Sequence, residues 1–208
     1  MATKFYTFII LFTIVISTTF STCKKGGDIG CANTIYNFQI GMMAYPDIDN
    51  IHIGDTIWFD LNVPTNFIDI TSNTNIEYSG AKNLGTAMGF ANYSILNNPI
   101  PAANSFSTIL LEGTKVDNAN TNQIREYLFK EENNRYLFKL AIIAKETGIF
   151  GIGPSSAQNV YRASDNCTKA FFNIILQNTH HHYYLNPNIN SSNSDTTQPS
   201  GSYYFRVN

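Results

Sequence analysis

Three consecutive histidines, His180-His181-His182, form the densest group of metal-ligating side chains in the chain. Imidazole nitrogens are common ligands for zinc, copper and nickel. Successive side chains on an extended strand point to opposite faces, so His180 and His182 share one face and His181 points away. A metal centre needs three or four converging donors. The one other histidine, His52, is far away in sequence. The stretch therefore reads as a polar strand entry, and neither metal nor cofactor is assigned to it.

Oxygen donors crowd a second stretch, "YPDIDNIHIGD", with Asp47, Asp49, Asn50 and Asp55. Such density can hold calcium. The ordered calcium loop has a glycine at its sixth place and a closing glutamate, and both are missing here. Asp and Asn are also the ordinary residues of turns. "GIGPSS" (151–156) lacks the lysine, the further glycine and the helix of a phosphate loop. There is no G-x-S-x-G or H-E-x-x-H. Nucleophilic catalysis needs an activated serine or cysteine beside a base, and no such pairing is visible. No catalytic residue is assigned, and the chain is expected not to be an enzyme. The alternative is an exported, glycosidase-like hydrolase with dispersed carboxylates, which can be distant in sequence.

Tyr183-Tyr184 and Tyr203-Tyr204 flank an Asn/Ser/Thr-rich segment, 186–201, that reads as a loop. Adjacent residues of a strand face opposite ways, so one ring of each pair should be buried. The outward ring of Tyr183 or Tyr184 is the candidate contact for a glycan or protein ligand.

Which elements hold these residues follows from composition and periodicity. Charged residues make up 13% of the chain, against roughly 25% in an average domain. Asparagine fills the gap, with 26 copies. The formal charge of −2 becomes −3 without residues 1–22, which carry one lysine and no acid. Nucleic-acid partners call for a concentrated basic surface and are excluded. Strand signals dominate. They include 34–45, two strands pivoting on Gly54-Asp55 between 51 and 64, 67–71, 75–79, 87–96, 106–112, 147–153, 157–162, 170–177 and "SYYFRV". "REYLFKEENNRYLFKLAIIA" predicts a hairpin with its turn at 131–134. The one helical hint is 121–126. Many short strands between Gly, Pro and Asn turns predict an all-β sandwich or barrel.

The N-terminus carries an address. Lys4 precedes an uncharged run from Phe5 to Phe20, shorter than the about 20 apolar residues of a membrane span and interrupted by Thr and Ser. A basic start, an apolar centre and small residues before a break are the parts of a secretory signal. "FSTC", Phe20 to Cys23, resembles the lipobox of bacterial lipoproteins, with Phe20 and Thr22 in place of the usual leucine and smaller residue. "CKKGGD" is similar to the start of Bacteroidota lipoproteins. The resemblance implies a signal peptide at 1–22, acyl chains on Cys23 that anchor the chain in the membrane, and a tether at 23–30. It also implies a cell-envelope location, at the periplasmic face or the cell surface. With Cys23 acylated, Cys31 and Cys167 remain as an even pair, and a pair in an oxidising compartment is expected to close as a disulfide.

"HIGDTIWFDLNVP" and "AKETGIFGI" resemble early and late strands of bacterial immunoglobulin-like domains. They imply an enlarged, antiparallel, immunoglobulin-like β-sandwich spanning 31–208. Together these readings expect a lipid-anchored extracytoplasmic binding or structural module.

Overall fold

The computed structural model describes residues 34–117, 121–177, 180–188 and 201–208. The signal segment 1–22, Cys23, the tether, Cys31 and most of the loop 186–201 lie outside the described residues. Among the described residues there is no α-helix, and no helix is long and apolar enough to cross a membrane.

Seventeen strands are found among the described residues. They begin with β1 (Thr34–Tyr45), β2 (Asn50–Ile51), β3 (Thr56–Pro64), β4 (Asn66–Asp69), β5 (Thr74–Glu77) and β6 (Ala81–Lys82). Next come β7 (Gly85–Asn92), β8 (Ile100–Pro101), β9 (Phe106–Glu112), β10 (Thr114–Val116), β11 (Ile124–Leu128) and β12 (Lys130–Glu132). The chain closes with β13 (Arg135–Ala144), β14 (Gly148–Pro154), β15 (Ala157–Arg162), β16 (Asp165–Gln177) and β17 (Tyr203–Val207).

They build an all-β sandwich. One sheet runs β12-β13-β3-β1-β16-β15-β6, with β9 added along β13. The other runs β10-β11-β7-β14-β17-β2, with β8 added on β7. β4 and β5 form a separate hairpin. The expectation of antiparallel sheets needs correcting, because each main sheet holds a parallel pair. β1 runs parallel to β16, from Thr34 opposite Thr168 to Met43 opposite Gln177, and β17 runs parallel to β2. Parallel neighbours require a long connection. The chain between β1 and β16 supplies one, and each of these strands has an antiparallel neighbour on its other side.

Alternation explains which face is inside. Phe38, Ile40, Met42 and Ala44 of β1 are buried, as are Ile57, Phe59 and Leu61 of β3 and Tyr136, Phe138, Leu140 and Ile142 of β13. From the second sheet come Met88, Phe90, Phe150, Ile152, Tyr203, Phe205 and Val207. Rings meet across the sandwich. Phe106 of β9 lies 4.8 Å from Phe150 and 5.9 Å from Phe90, and Phe138 lies 5.5 Å from Tyr127. Each such buried side chain stabilises the fold by about 1.5–3 kcal/mol relative to exposure.

The asparagines have a structural use. Seven non-glycine residues adopt a positive φ among those described, and six are Asn: 73, 83, 97, 133, 134 and 159. Asn tolerates this left-handed conformation because its short amide can bond to the nearby backbone. Asn133 and Asn134 make the two-residue turn between β12 and β13, the positive-φ pair that tight hairpins favour. The predicted hairpin is thus shorter than expected. β11, the strand before it, pairs with β7 in the opposite sheet, and Glu131 and Glu132 stay in β12.

Candidate functional site

β17 provides the frame. On one edge it pairs with β14. On its other edge Arg206 and Val207 pair with β2, while the Tyr204 amide donates to the His181 carbonyl at 3.0 Å. That edge therefore carries two loops side by side. One leads from β1 to β2 and contains Asp47 and Asp49. The other runs through His180, His181 and His182 into a single 3-10 turn, Tyr183–Leu185. Tyr203 fastens the first loop from beneath. Its buried hydroxyl accepts the Ile48 amide at 2.9 Å and reaches the Pro46 and Ile48 carbonyls at 3.0 and 2.5 Å. Burial, outweighing a hydrogen bond with the Ile48 backbone, pushes this phenol up to about 12.

The two loops bring three donors together. Asp47 accepts the His180 amide on both carboxylate oxygens, at 3.0 and 2.9 Å, and meets His180 Nδ1 at 2.6 Å. His182 Nε2 lies 3.5 Å from Asp47 Oδ1. One donor atom from each of Asp47, His180 and His182 lies within 4.8 Å of the others. The His180 and His182 rings are stacked, with centroids 6.2 Å apart. The His182 side chain is only 10% exposed, whereas that of His180 is 86% exposed. Burial raises the Asp47 carboxyl, but the His180 amide, the His180 ring and the charges of both histidines outweigh it and leave the carboxyl below its usual value of 3.8.

His182 is fixed twice over. Its backbone sits at φ 50, ψ 41, the one residue other than Asn and Gly described with a positive φ. Residues held in this region cluster at functional sites. Its Nδ1 lies 3.0 Å from the Tyr204 carbonyl. A carbonyl can only accept, so Nδ1 carries the hydrogen and Nε2 is the atom turned to Asp47.

His181 turns away from Asp47, although 180–182 lie outside any strand. It stacks on Tyr183 at 5.0 Å, and burial, only partly offset by the Ser202 carbonyl, lowers its pKa from 6.5. Tyr183 is wedged between His181 and Tyr204 and is half-buried. Tyr184 is 70% exposed, and its hydroxyl donates to Asp49. Both members of the second pair, Tyr203 and Tyr204, are buried. The expectation that only one would be buried fails because Tyr183 and Tyr93 cover the outer face of Tyr204, at 5.8 and 5.3 Å.

Comparison of the chain with protein-family models, curated proteins and solved structures found no match. The site therefore has to be read from its own chemistry.

The remaining candidates serve elsewhere. Asp55 accepts the His52 amide at 2.8 Å and closes the turn before β3. Asn50 donates to Asp49 at 2.7 Å. "GIGP" lies in β14, where Gly151 and Ile152 pair with both β17 and β7 and Gly153 and Pro154 pair with β7. Cys167 lies in β16, where its amide donates to Asp165 at 2.9 Å. A groove of about 360 Å³ lies on the second sheet between β7, β11 and the start of β15, and Glu126 is the one acid in its lining.

Sequence reasoning kept the two dense stretches apart. The pairing of His180 and His182 on one face was legible. Their third partner was not, because Asp47 looked like a turn residue beside Asp49.

Proposed function

We propose that the chain is a lipid-anchored extracytoplasmic binding module of the cell envelope, resembling Bacteroidota lipoproteins with immunoglobulin-like domains. Its ligand, a glycan or a protein segment, docks at the end where the 46–49 and 180–185 loops lie along β17. One observation carries this reading. Tyr184 stands 70% exposed beside the Asp47, His180 and His182 cluster, on loops fastened to a sandwich by Tyr203 and Tyr204. Functional contacts usually sit on loops carried by such a scaffold, and exposed aromatics supply contact area at little entropic cost.

Binding without catalysis is preferred to hydrolysis. A glycosidase needs two facing carboxylates. The groove beside β7 and β11 offers Glu126 alone. Glu112 and Glu132 both turn to Lys130, at 3.5 and 3.0 Å, on exposed surface.

The anchor on Cys23 belongs to the same proposal, as does a bridge between Cys31 and Cys167. Stable anchoring takes more than one acyl chain, which the lipobox resemblance implies. Fractionating bacteria that express the 208-residue chain tests the anchor, which fails if wild type and Cys23→Ala partition alike. Thiol alkylation of the unreduced, denatured chain tests the bridge, and two reactive thiols besides Cys23 would exclude it. For ligand binding, the chain in detergent is screened on glycan and peptide arrays beside its Tyr184→Ala variant. Hits that are lost in the variant support the reading. Hits indifferent to Tyr184, or turnover that depends on Glu126, overturn it.

A further inference from the structure

We propose that Asp47, His180 and His182 form a binding site for a divalent d-block cation of the zinc class. The inference deepens the reading of this end of the sandwich as the binding end, and it stands independently of the lipid anchor.

The donor set selects the ion. Two imidazoles and one carboxylate suit zinc, copper, nickel or iron, whereas calcium and magnesium prefer oxygen alone. The spacing brings the donors near enough for side-chain adjustment to close on one ion. Bonds of about 2.0 Å to a four-coordinate ion put neighbouring donors about 3.3 Å apart. The separations are 3.5 Å from Asp47 Oδ1 to His182 Nε2 and 2.6 Å from Asp47 Oδ2 to His180 Nδ1, on different carboxylate oxygens, and one donor atom from each of the three residues lies within 4.8 Å of the others. The exposed His180 ring is free to swing outward by the difference.

The strongest argument is the orientation of His182. Its Nδ1–H is committed to the Tyr204 carbonyl, so in the neutral ring the lone pair of Nε2 is turned toward the oxygen of Asp47. In that form two electron-rich atoms face each other at 3.5 Å, the His182 side chain 10% and the Asp47 side chain 27% exposed. A cation between them turns that repulsion into attraction. A histidine whose second nitrogen donates to a backbone carbonyl is the usual arrangement of a metal ligand, because it fixes the tautomer and aims the ring.

His180 supplies Nδ1 once the proton on that nitrogen has passed through solvent to its Nε2. Three protein donors leave at least one position of a four-coordinate ion open. Tyr184, whose ring lies 6.1 Å from His182, stands beside the site. The ligand of the module is therefore of a class that brings its own donor, such as a carboxylate or an imidazole.

The test is isothermal titration of the full chain, purified in detergent without a histidine tag and stripped with chelator, using Zn²⁺, Ni²⁺ and Ca²⁺. One equivalent of Zn²⁺ is expected to bind, with Ca²⁺ silent. His180→Ala and Asp47→Asn are each expected to weaken zinc by at least about tenfold. His52→Ala, in an exposed turn outside the cluster, is expected to bind like wild type. Thermal unfolding of each variant without metal separates lost ligation from lost folding, and added zinc is expected to raise the midpoint of wild type alone among wild type, His180→Ala and Asp47→Asn. The proposal is overturned if zinc does not bind, if folded His180→Ala binds as wild type does, or if Ca²⁺ competes equally. Zinc binding without array hits would sink the ligand reading and leave the metal site standing.

Discussion

The Nδ1 of His180 lies 2.6 Å from a carboxylate oxygen of Asp47, although 133 residues separate the two. The contact exists because β2 and the 180–182 stretch occupy successive parts of the same edge of β17. Anything that shifts β17 should therefore be felt at the cluster.

Phe106 offers a test of the core. It is 2% exposed and meets Phe90, Phe150 and Phe205 across the sandwich. Phe106→Ala is expected to lose about 3–5 kcal/mol of stability, read as a lower midpoint in urea unfolding. An unchanged midpoint would mean that the two sheets do not meet through this ring.

Gly151 tests the support beneath the site. It is paired with Tyr204, and an added Cβ would come within 2.7 Å of the Tyr204 ring and 2.8 Å of the Tyr93 ring. Gly151→Ala is expected to cost about 1–3 kcal/mol through overpacking. The displaced Tyr204 should also weaken zinc binding, because its carbonyl aims His182. A loss of stability with unaltered zinc affinity would separate β17 from the site.

How much of this was legible in the sequence depends on range. β1, β9 and β15 were read with their observed limits, because period-two alternation is a local property of a half-buried strand. Residues 124–126 of the helical hint at 121–126 lie in β11, since pairing with β7 overrode a weak local preference. The two strands read around Gly54-Asp55 are both present, but β2 and β3 lie in different sheets, which no local pattern encodes. The parallel pairing of β1 with β16 escaped for the same reason. At the site, alternation separated His181 from its neighbours, whereas the meeting of Asp47 with His180 and His182 is a product of sheet order alone.

Acid stability should show the signature of Asp165. A hydrogen bond from the Thr168 side chain, then the Cys167 amide, hold its carboxyl at about 2 against a usual 3.8, with further help from the Thr168 amide and Arg162. A carboxyl with a lowered folded pKa stabilises the fold above the unfolded value, and that stability is lost as pH falls through the folded value. The wild-type melting temperature is therefore expected to drop more steeply than that of Asp165→Ala between pH 4 and about 2, where the two converge. Parallel curves across this window would contradict the assignment.

The most direct measurement of the metal-site account is the protonation pattern of the histidine rings, read by long-range ¹⁵N–¹H correlation on the uniformly labelled chain before and after zinc. In the metal-free protein, His182 is expected to carry its hydrogen on Nδ1. Zinc should shift His182 Nε2 and the His180 ring and leave His52 unmoved. A hydrogen on His182 Nε2 with Nδ1 bare, or a His182 spectrum indifferent to saturating zinc, would contradict it.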